Sequence, residues 1–235
     1  MNSSSWFRQL GAIVLRLWGR VLCLLLAAVM PVTCCALEIR RVQTCSGVVL
    51  RLRGDIREGD FSQLTSHIRG NDPILGFDLS SDGGVLEEGL RIADLTRRKK
   101  LVVYVAGECN SVCADIFFAA AKRYYAPNPK IGVHAVSNYR DIEDTGSRLL
   151  TIKLARLWAK QGVPNSVIGK MVTTRAEAIT YLDRADLAAM DASERNPFVS
   201  KPEKSSDAAG APQQSNCATQ LNSSSGVTHD PPPLR

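Results

Sequence analysis

The sequence lacks the patterns that bind nucleotides and metal ions. Neither the G-x-G-x-x-G spacing of a dinucleotide site nor the Gly-Lys-Ser/Thr run of a phosphate-binding loop occurs in it. Cys109 and Cys113 have the spacing of two metal ligands, but no second ligand pair lies nearby, and a zinc site is not expected. The chain has only 3 histidines in 235 residues. We therefore predict neither a cofactor nor a metal ion.

Positive charge is in excess, at a net +6, yet it does not follow the pattern of a nucleic-acid-binding protein. Much of it flanks one hydrophobic segment near the N-terminus, at Arg8, Arg16, Arg20, Arg40 and Arg41. No basic face with interleaved aromatic residues follows. We interpret the charge as part of a targeting signal and predict no nucleic-acid partner.

Residues 1–36 have the layout of a secretory signal peptide. A basic region precedes an uncharged run over 21–32, and Cys34-Cys35-Ala36 supplies small residues for cleavage. The run is short for a membrane span, although the apolar stretch 10–17 keeps an uncleaved membrane anchor as the alternative. Both interpretations predict an exported protein, either periplasmic or anchored so that it faces the periplasm.

The number of cysteines agrees with export. Cleavage after Ala36 would remove three of the 7 cysteines and leave four, which are Cys45, Cys109, Cys113 and Cys217. An even number in an oxidising compartment favours disulfides. We expect Cys109 to pair with Cys113, with Cys45 as the alternative partner.

Strand-like and helix-like segments alternate between residues 48 and 190. This alternation predicts an α/β fold with a largely parallel sheet. A T-x-x-E capping box at Thr174 and Glu177 predicts the start of the last helix. We assign the folded domain to 37–195. The remainder, 196–235, is rich in Ser, Pro, Ala and Gln and is predicted to be a disordered tail.

Two junctions between a strand and a helix carry the residues of a candidate site. Gly83-Gly84 occupies the first junction, where backbone N–H groups can face an anion. Ser111 starts the helix of the second, beside the N–H of Val112, and would gain nucleophilicity from the helix N-terminus if a base were present. Consecutive junctions of this kind open at the same edge of a parallel sheet.

His134, at the end of the next strand, is the candidate for that base, because the other two histidines lie in a helix and in the tail. Each of these residues has a structural alternative. Gly83-Gly84 could form only a tight turn, Ser111 could cap its helix, and His134 could be a packed core imidazole.

In their order and spacing these residues resemble the Clp protease proteolytic subunit within the crotonase-like superfamily, especially its exported relatives. The matches are the C-x-S-x-C element at 109–113, the Gly-x-His strand at 132–134 and the glycine loop in "SSDGGVLEEGLRIAD". The resemblance covers about 54–190 and implies a spiral of ββα units. It implies Ser111 as nucleophile, His134 as base, and an oxyanion hole from the Gly83-Gly84 loop and the N–H of Val112.

One member of the expected triad is missing. The family's acid lies just before the last "EA…Y" helix, and counting back from 177–181 puts Lys170 or a neighbour there, in a segment without a carboxylate. An imidazole without a carboxylate loses control of its tautomer and stabilisation of its charged form. The sequence leaves open four substitute acids, which are Asp115, Asp141, Asp183 and Asp186. It also leaves open a Ser–Lys dyad in which Lys122 or Lys170 is the base.

These observations favour an exported, ATP-independent serine-type peptidase that acts on peptides or unfolded protein segments. The missing acid favours the alternative, a catalytically silent relative that binds peptides or takes part in envelope assembly. Acyl-CoA chemistry of the crotonase type fits export poorly, because that cofactor is cytosolic. A homo-oligomer, and membrane association through the N-terminal segment, are both compatible with the sequence.

Overall fold

The structure is a computed structural model, and it describes residues 36–44, 46–69, 72–140 and 142–199. The predicted signal or anchor segment lies outside the described residues except for Ala36, and the predicted tail except for 196–199. Cys45, Asp141 and Cys217 also lie outside them. Within the described ranges, no helix is both long enough and apolar enough to cross a membrane.

Strands and helices alternate along the described chain. The strands are β1 (Glu38–Thr44), β2 (Gly47–Arg53), β3 (Ile74–Ser81), β4 (Val102–Asn110), β5 (Lys122–Tyr125), β6 (Lys130–Val133), β7 (Thr180–Tyr181) and β8 (Ser193–Glu194). The helices are α1 (Asp60–Ile68), α2 (Leu86–Arg98), α3 (Val112–Phe118), α4 (Thr145–Lys160), α5 (Asn165–Thr173) and α6 (Arg184–Ala189).

All of these strands belong to one 8-stranded sheet. Its main path runs in the order β1-β2-β3-β4-β5-β8, and β6 pairs with β4 and with β7. The pairs β1–β2 and β6–β7 are antiparallel, and the other neighbouring strands are parallel. The predicted α/β class with a mostly parallel sheet is therefore confirmed.

The sheet divides along β4, and this division positions the candidate site. Residues 102–105 of β4 pair with β5, whereas residues 108–110 pair with β6. Because β4 and β6 are parallel, the residues that follow them, Ser111 and His134, leave the sheet at the same edge.

Apolar side chains bury the central strands on both faces. Phe77 of β3, Val103 and Val105 of β4, and Ile131 of β6 are all fully buried. A strand covered on both faces needs apolar residues at consecutive positions, which explains the nearly uninterrupted apolar start of β4. The buried residues form one continuous core that fixes the strand ends on which the site is built.

Several details differ from the sequence predictions. The sequence patterns did not predict β1, which is an edge strand rich in charged residues, or the short strands β5, β7 and β8, which have 4, 2 and 2 residues. The last helix begins after Asp183, whose side chain accepts from the N–H of Asp186 while Asp186 accepts in return from Asp183. The capping box predicted at Thr174 and Glu177 is therefore wrong. Thr174 instead ends α5, and its hydroxyl lies 2.6 Å from the carbonyl oxygen of Lys170.

Two helical glycines give a matched test of how closely α2 packs on α3. A Cβ on Gly89 of α2 would lie 2.2 Å from a methyl carbon of Val112, whereas a Cβ on Gly169 of α5 meets nothing within 4 Å. We expect Gly89→Ala to lower the free energy of unfolding by about 1–3 kcal/mol through overpacking. Gly169→Ala should raise it by about 0.5–1 kcal/mol through helix propensity. Urea unfolding of both variants measures the difference, and shifts of the same sign would contradict this account.

Candidate active site

Ser111 occupies a sharp turn between β4 and α3. Its φ of 55° and ψ of −131° lie in a region that non-glycine residues rarely adopt, at a cost of about 1–3 kcal/mol. The turn is held because the N–H of Ser111 donates to the carbonyl of Gly132 at 2.9 Å, and its carbonyl accepts from Ala114 at 2.8 Å. Strained strand-to-helix turns of this kind expose the nucleophile in hydrolases with a nucleophile elbow.

The hydroxyl of Ser111 does not cap α3. Ser111 is the N-cap residue by position, but no hydrogen bond joins its side chain to the first turn of the helix. Across the described ranges its hydroxyl has no other protein partner, and the half-buried side chain lines a cleft. The capping alternative is therefore wrong, and the hydroxyl is left facing the cleft.

Gly83 and Gly84 form the loop between β3 and α2 that faces this turn. Both have positive φ angles, of 99° and 134°. A Cβ on Gly83 would lie 2.6 Å from Cβ of Ser111, and a Cβ on Gly84 would lie 2.1 Å from the carbonyl oxygen of Ile56. Ile56 holds the loop by donating to the carbonyl of Gly83 at 2.7 Å and accepting from the N–H of Val85 at 2.8 Å. The site therefore requires glycine at both positions.

The backbone N–H groups around Ser111 differ in whether they already donate a hydrogen bond within the protein. The N–H of Gly83 donates to Oγ of Ser81 at 3.1 Å, so Gly83 contributes close approach rather than a free donor. Within the described chain, the N–H groups of Gly84 and Val112 donate to no protein acceptor. Gly84 and Val112 are thus the candidate oxyanion donors. This corrects the expectation that Gly83 also donates.

His134 follows β6 and is half-buried. Its Nδ1 lies 2.7 Å from the carbonyl oxygen of Ala135. A carbonyl oxygen can only accept, so Nδ1 carries a proton, and in the neutral ring Nε2 is the nitrogen with the lone pair. This is the tautomer that a general base facing the cleft requires.

One cleft of about 800 Å³ contains all five predicted site residues. They are Ser111, His134, Gly83, Gly84 and Val112. In the described structure, no hydrogen bond joins the hydroxyl of Ser111 to the ring of His134. Both side chains nevertheless line the same cleft, and His134 is half-buried rather than enclosed in the core.

Sequence reasoning missed a contact that joins the two turns of the site. Nδ2 of Asn110 donates to Oδ1 of Asp82 at 3.0 Å, and Asn110 is 2% exposed. These residues directly precede Ser111 and Gly83. Their only signal in the sequence is this position beside the two turns, and nothing there indicates that their side chains meet.

No carboxylate supports His134 within the described residues. Its only side-chain hydrogen bond is the one to Ala135. Asp183 and Asp186 bind Lys170 instead, whose Nζ lies 2.8 Å from Oδ2 of Asp183. Neither of these predicted substitutes therefore acts as the acid of a triad with His134.

The predicted Ser–Lys dyads are also disfavoured. Lys170 donates hydrogen bonds to the carboxylates of Asp183 and Asp186, and these bonds hold the pKa of Lys170 above its usual value. The amine therefore stays protonated and is a poor base. Lys122 is exposed at the start of β5 and does not line the cleft. His134 is therefore the strongest candidate base around Ser111.

Among the predicted substitute acids that the structure describes, Asp115 alone lines the cleft, but it binds Trp158 rather than His134. Nε1 of Trp158 donates to Oδ1 of Asp115 at 2.6 Å. Burial raises the pKa of Asp115 to about 7, and the indole N–H partly opposes the shift. Trp158 lies on α4, 43 residues away, and no sequence pattern predicts this pair.

The predicted disulfide between Cys109 and Cys113 is present. Their Cα atoms are 5.1 Å apart, and neither residue is exposed. The bridge joins the end of β4 to the first turn of α3, and so it spans the strained residue Ser111. We infer that it holds the turn locally, because closing such a short loop removes little entropy from the unfolded chain.

Comparison with known proteins gives structural matches only. No family model matches the sequence, and no curated protein matches it. Among solved structures, the chain is similar to ClpP1 of Listeria monocytogenes and to a mutant of that protein, each at 23% identity with a TM-score of 0.48. The match covers 63% of this chain and 92% or 91% of those chains. These matches do not test whether the chain belongs to an exported branch with a C-x-S-x-C element, and that part of the resemblance remains a prediction.

The burial of Cys109 and Cys113 predicts that the disulfide resists reduction in the native protein. An attacking thiolate must reach a sulfur atom, and both residues are 0% exposed. We expect alkylation after mild reductant treatment to leave both cysteines unlabelled, and added denaturant to make them reactive. Mass mapping of the peptides measures this, and ready labelling without denaturant would contradict it.

The raised pKa of Asp115 predicts that the stability of the folded protein depends on pH. Its pKa is about 7 in the folded protein against 3.8 as the reference value. The folded state therefore binds more protons between these values, and stability should fall as the pH rises from about 4 to about 7. The loss for this one group is at most roughly 4 kcal/mol.

Urea unfolding of the wild type and of Asp115→Asn at several pH values isolates this contribution. The difference in the free energy of unfolding between the two proteins should change from about pH 4 to about pH 7 and level off above about pH 7. Asp94→Asn, which removes a partly exposed carboxylate on α2, is the control. A constant difference between wild type and Asp115→Asn would contradict the assignment.

Proposed function

We propose that this protein is a serine-type peptidase with Ser111 as nucleophile and His134 as general base. The observation that carries the proposal is the state of Ser111. Its backbone is strained at a strand-to-helix turn, its hydroxyl is uncommitted, and it lines the cleft that His134 also lines. A structural serine at a helix start would use its hydroxyl as a cap.

The reaction follows from the surrounding groups. Nε2 of His134 accepts the proton of the Ser111 hydroxyl as Oγ attacks the substrate carbonyl carbon. The N–H groups of Gly84 and Val112 would bind the negative oxygen of the tetrahedral intermediate. The imidazolium then gives its proton to the leaving amine. In the second half of the reaction, His134 takes a proton from water as the water attacks the acyl-enzyme, and it returns that proton to Oγ of Ser111 as the ester bond breaks.

The carbonyl of Ala135 would perform one of the two tasks of the missing acid. It fixes the tautomer and orientation of His134 through Nδ1. It does not supply the negative charge that stabilises the imidazolium. We therefore propose a Ser–His dyad that is slower than a full triad.

The absence of a carboxylate at His134 among the described residues also supports a second candidate function. In that alternative the protein is catalytically silent, and it either binds peptides in the cleft without cleaving them or takes part in envelope assembly. The two candidates differ in whether Ser111 reacts covalently, which can be measured directly.

Export remains part of the proposal. The disulfide between Cys109 and Cys113 supports it, because such bonds persist mainly in oxidising compartments. An exported peptidase would work without ATP and on peptides or unfolded segments. Self-association is also proposed, supported by exposed apolar side chains on one helix, α4, at Leu149, Leu150, Ile152 and Leu157.

The nucleophile is tested with an uncharged fluorophosphonate probe on protein that begins after residue 36. We expect covalent labelling of wild type, loss of labelling in Ser111→Ala, and at least about a hundredfold slower labelling in His134→Ala, since general base catalysis typically contributes 10²–10⁴-fold. Ser137→Ala, which changes another serine of the same cleft, is the control and should label normally. Equal labelling of wild type and Ser111→Ala would overturn the assignment and leave the peptide-binding alternative.

A further inference from the structure

The cleft that Ser111 lines is also lined by a buried acid, Asp115, which borders a second cavity as well. Asp115 lies four residues after Ser111 on α3, and both residues line the cleft. At the helical rise, their Cα atoms are displaced by about 6 Å along the axis. Leu154 and Trp158 of α4 form an apolar part of the cleft wall beside Asp115.

The surroundings of Asp115 leave its charge unpaired. The residue is 4% exposed, and Trp158 is the only described side chain that donates to its carboxyl group. No ion pair involves Asp115 in the described chain. A neutral amide would accept the same indole N–H without the cost of burying an ionisable group. The carboxyl group adds one capacity, which is to carry a negative charge inside the cleft.

The other charged groups of the cleft favour a cationic ligand. The lining contains three carboxyl groups, from Asp55, Asp82 and Asp115, against the guanidinium of Arg57 and the imidazole of His134. Asp55 and Arg57 approach each other at 3.5 Å, so their charges largely offset. The cleft is therefore acidic in a chain whose net charge is +6.

We propose that Asp115 makes the cleft selective for peptides that carry a lysine or arginine side chain beside the bond that Ser111 attacks. The inference rests on the proposed function for the position of that bond. The aliphatic stem of such a side chain would pack against Leu154 and Trp158, and its cationic end would donate to the carboxylate.

Binding of a cation would also offset the cost of burying this carboxyl group. Burial raises the pKa of Asp115 to about 7, so the carboxyl group is partly protonated in the free protein at neutral pH. An entering ammonium or guanidinium group stabilises the ionised form and displaces that proton to solvent. An uncharged side chain of the same length offers no such pairing.

The test compares two peptidyl phosphonate probes that differ only beside the reactive phosphorus, one with a lysine side chain and one with norleucine, its uncharged analogue. We expect wild type to react at least about tenfold faster with the lysine probe, as befits a charge-assisted hydrogen bond. In Asp115→Asn the ratio should approach one. Asp94→Asn, outside this cleft, should keep the wild-type ratio.

The outcomes separate this inference from the proposed function. If Ser111 labels but the two probes react equally in wild type, the selectivity is wrong and the peptidase proposal stands. If no probe labels Ser111, the peptidase proposal fails, and calorimetry then decides the selectivity with Nα-acetyl-lysine and Nα-acetyl-norleucine methylamides on wild type and Asp115→Asn. Tighter binding of the lysine amide that Asp115→Asn abolishes supports a cation-selective cleft. Equal binding of the two amides overturns it.

Discussion

The hydrogen bond from the N–H of Ser111 to the carbonyl of Gly132 is the contact on which the candidate site depends. It is 2.9 Å long and continues the pairing of β4 with β6 by one residue beyond the end of β4. Because of it, the chain cannot leave the sheet gradually and must turn within Ser111 itself. The strained φ of Ser111, the start of α3 at Val112 and the position of His134 beyond β6 all follow from this constraint.

Close approach of backbone segments supports the same turn. Gly83 lies against Ser111, Gly89 lies against Val112, and Gly132 lies against the side chain of Asn110. At each position a Cβ would fall within 2.6 Å of a neighbouring atom. The glycines therefore let a loop, a helix and a strand approach the turn at Ser111, and the adjacent disulfide holds both ends of that turn.

The sequence predicts those features that depend on local pattern. The apolar strands, the glycine loop, the serine at a helix start and the short Cys-x-x-x-Cys pairing were all predictable because their determinants lie within a few residues. The start of the last helix was mispredicted because two capping-box patterns occur in succession, and only packing selects Asp183 over Thr174. The contact between Asp115 and Trp158 was not predictable, since it joins two residues of different helices that are 43 positions apart in the sequence.

The tautomer of His134 was not predictable either, although its partner is the next residue. The sequence predicts a carboxylate partner, because a carboxylate is the usual partner of a catalytic imidazole. The structure supplies the carbonyl of Ala135, a group that every residue has and that no sequence pattern reveals.

Strain and buried charge in this site oppose stability, and both lie next to Ser111. The turn costs about 1–3 kcal/mol, and an acid with no basic partner is kept in the wall of the cleft. A fold selected only for stability would place a glycine at the turn and an apolar residue or an amide at position 115. Local conflicts of this kind concentrate at functional sites, where surrounding packing holds them in place. The coincidence of two such conflicts in one cleft, one at Ser111 and one at Asp115 four residues later, supports the proposal that this cleft both reacts with its ligand and selects it by charge.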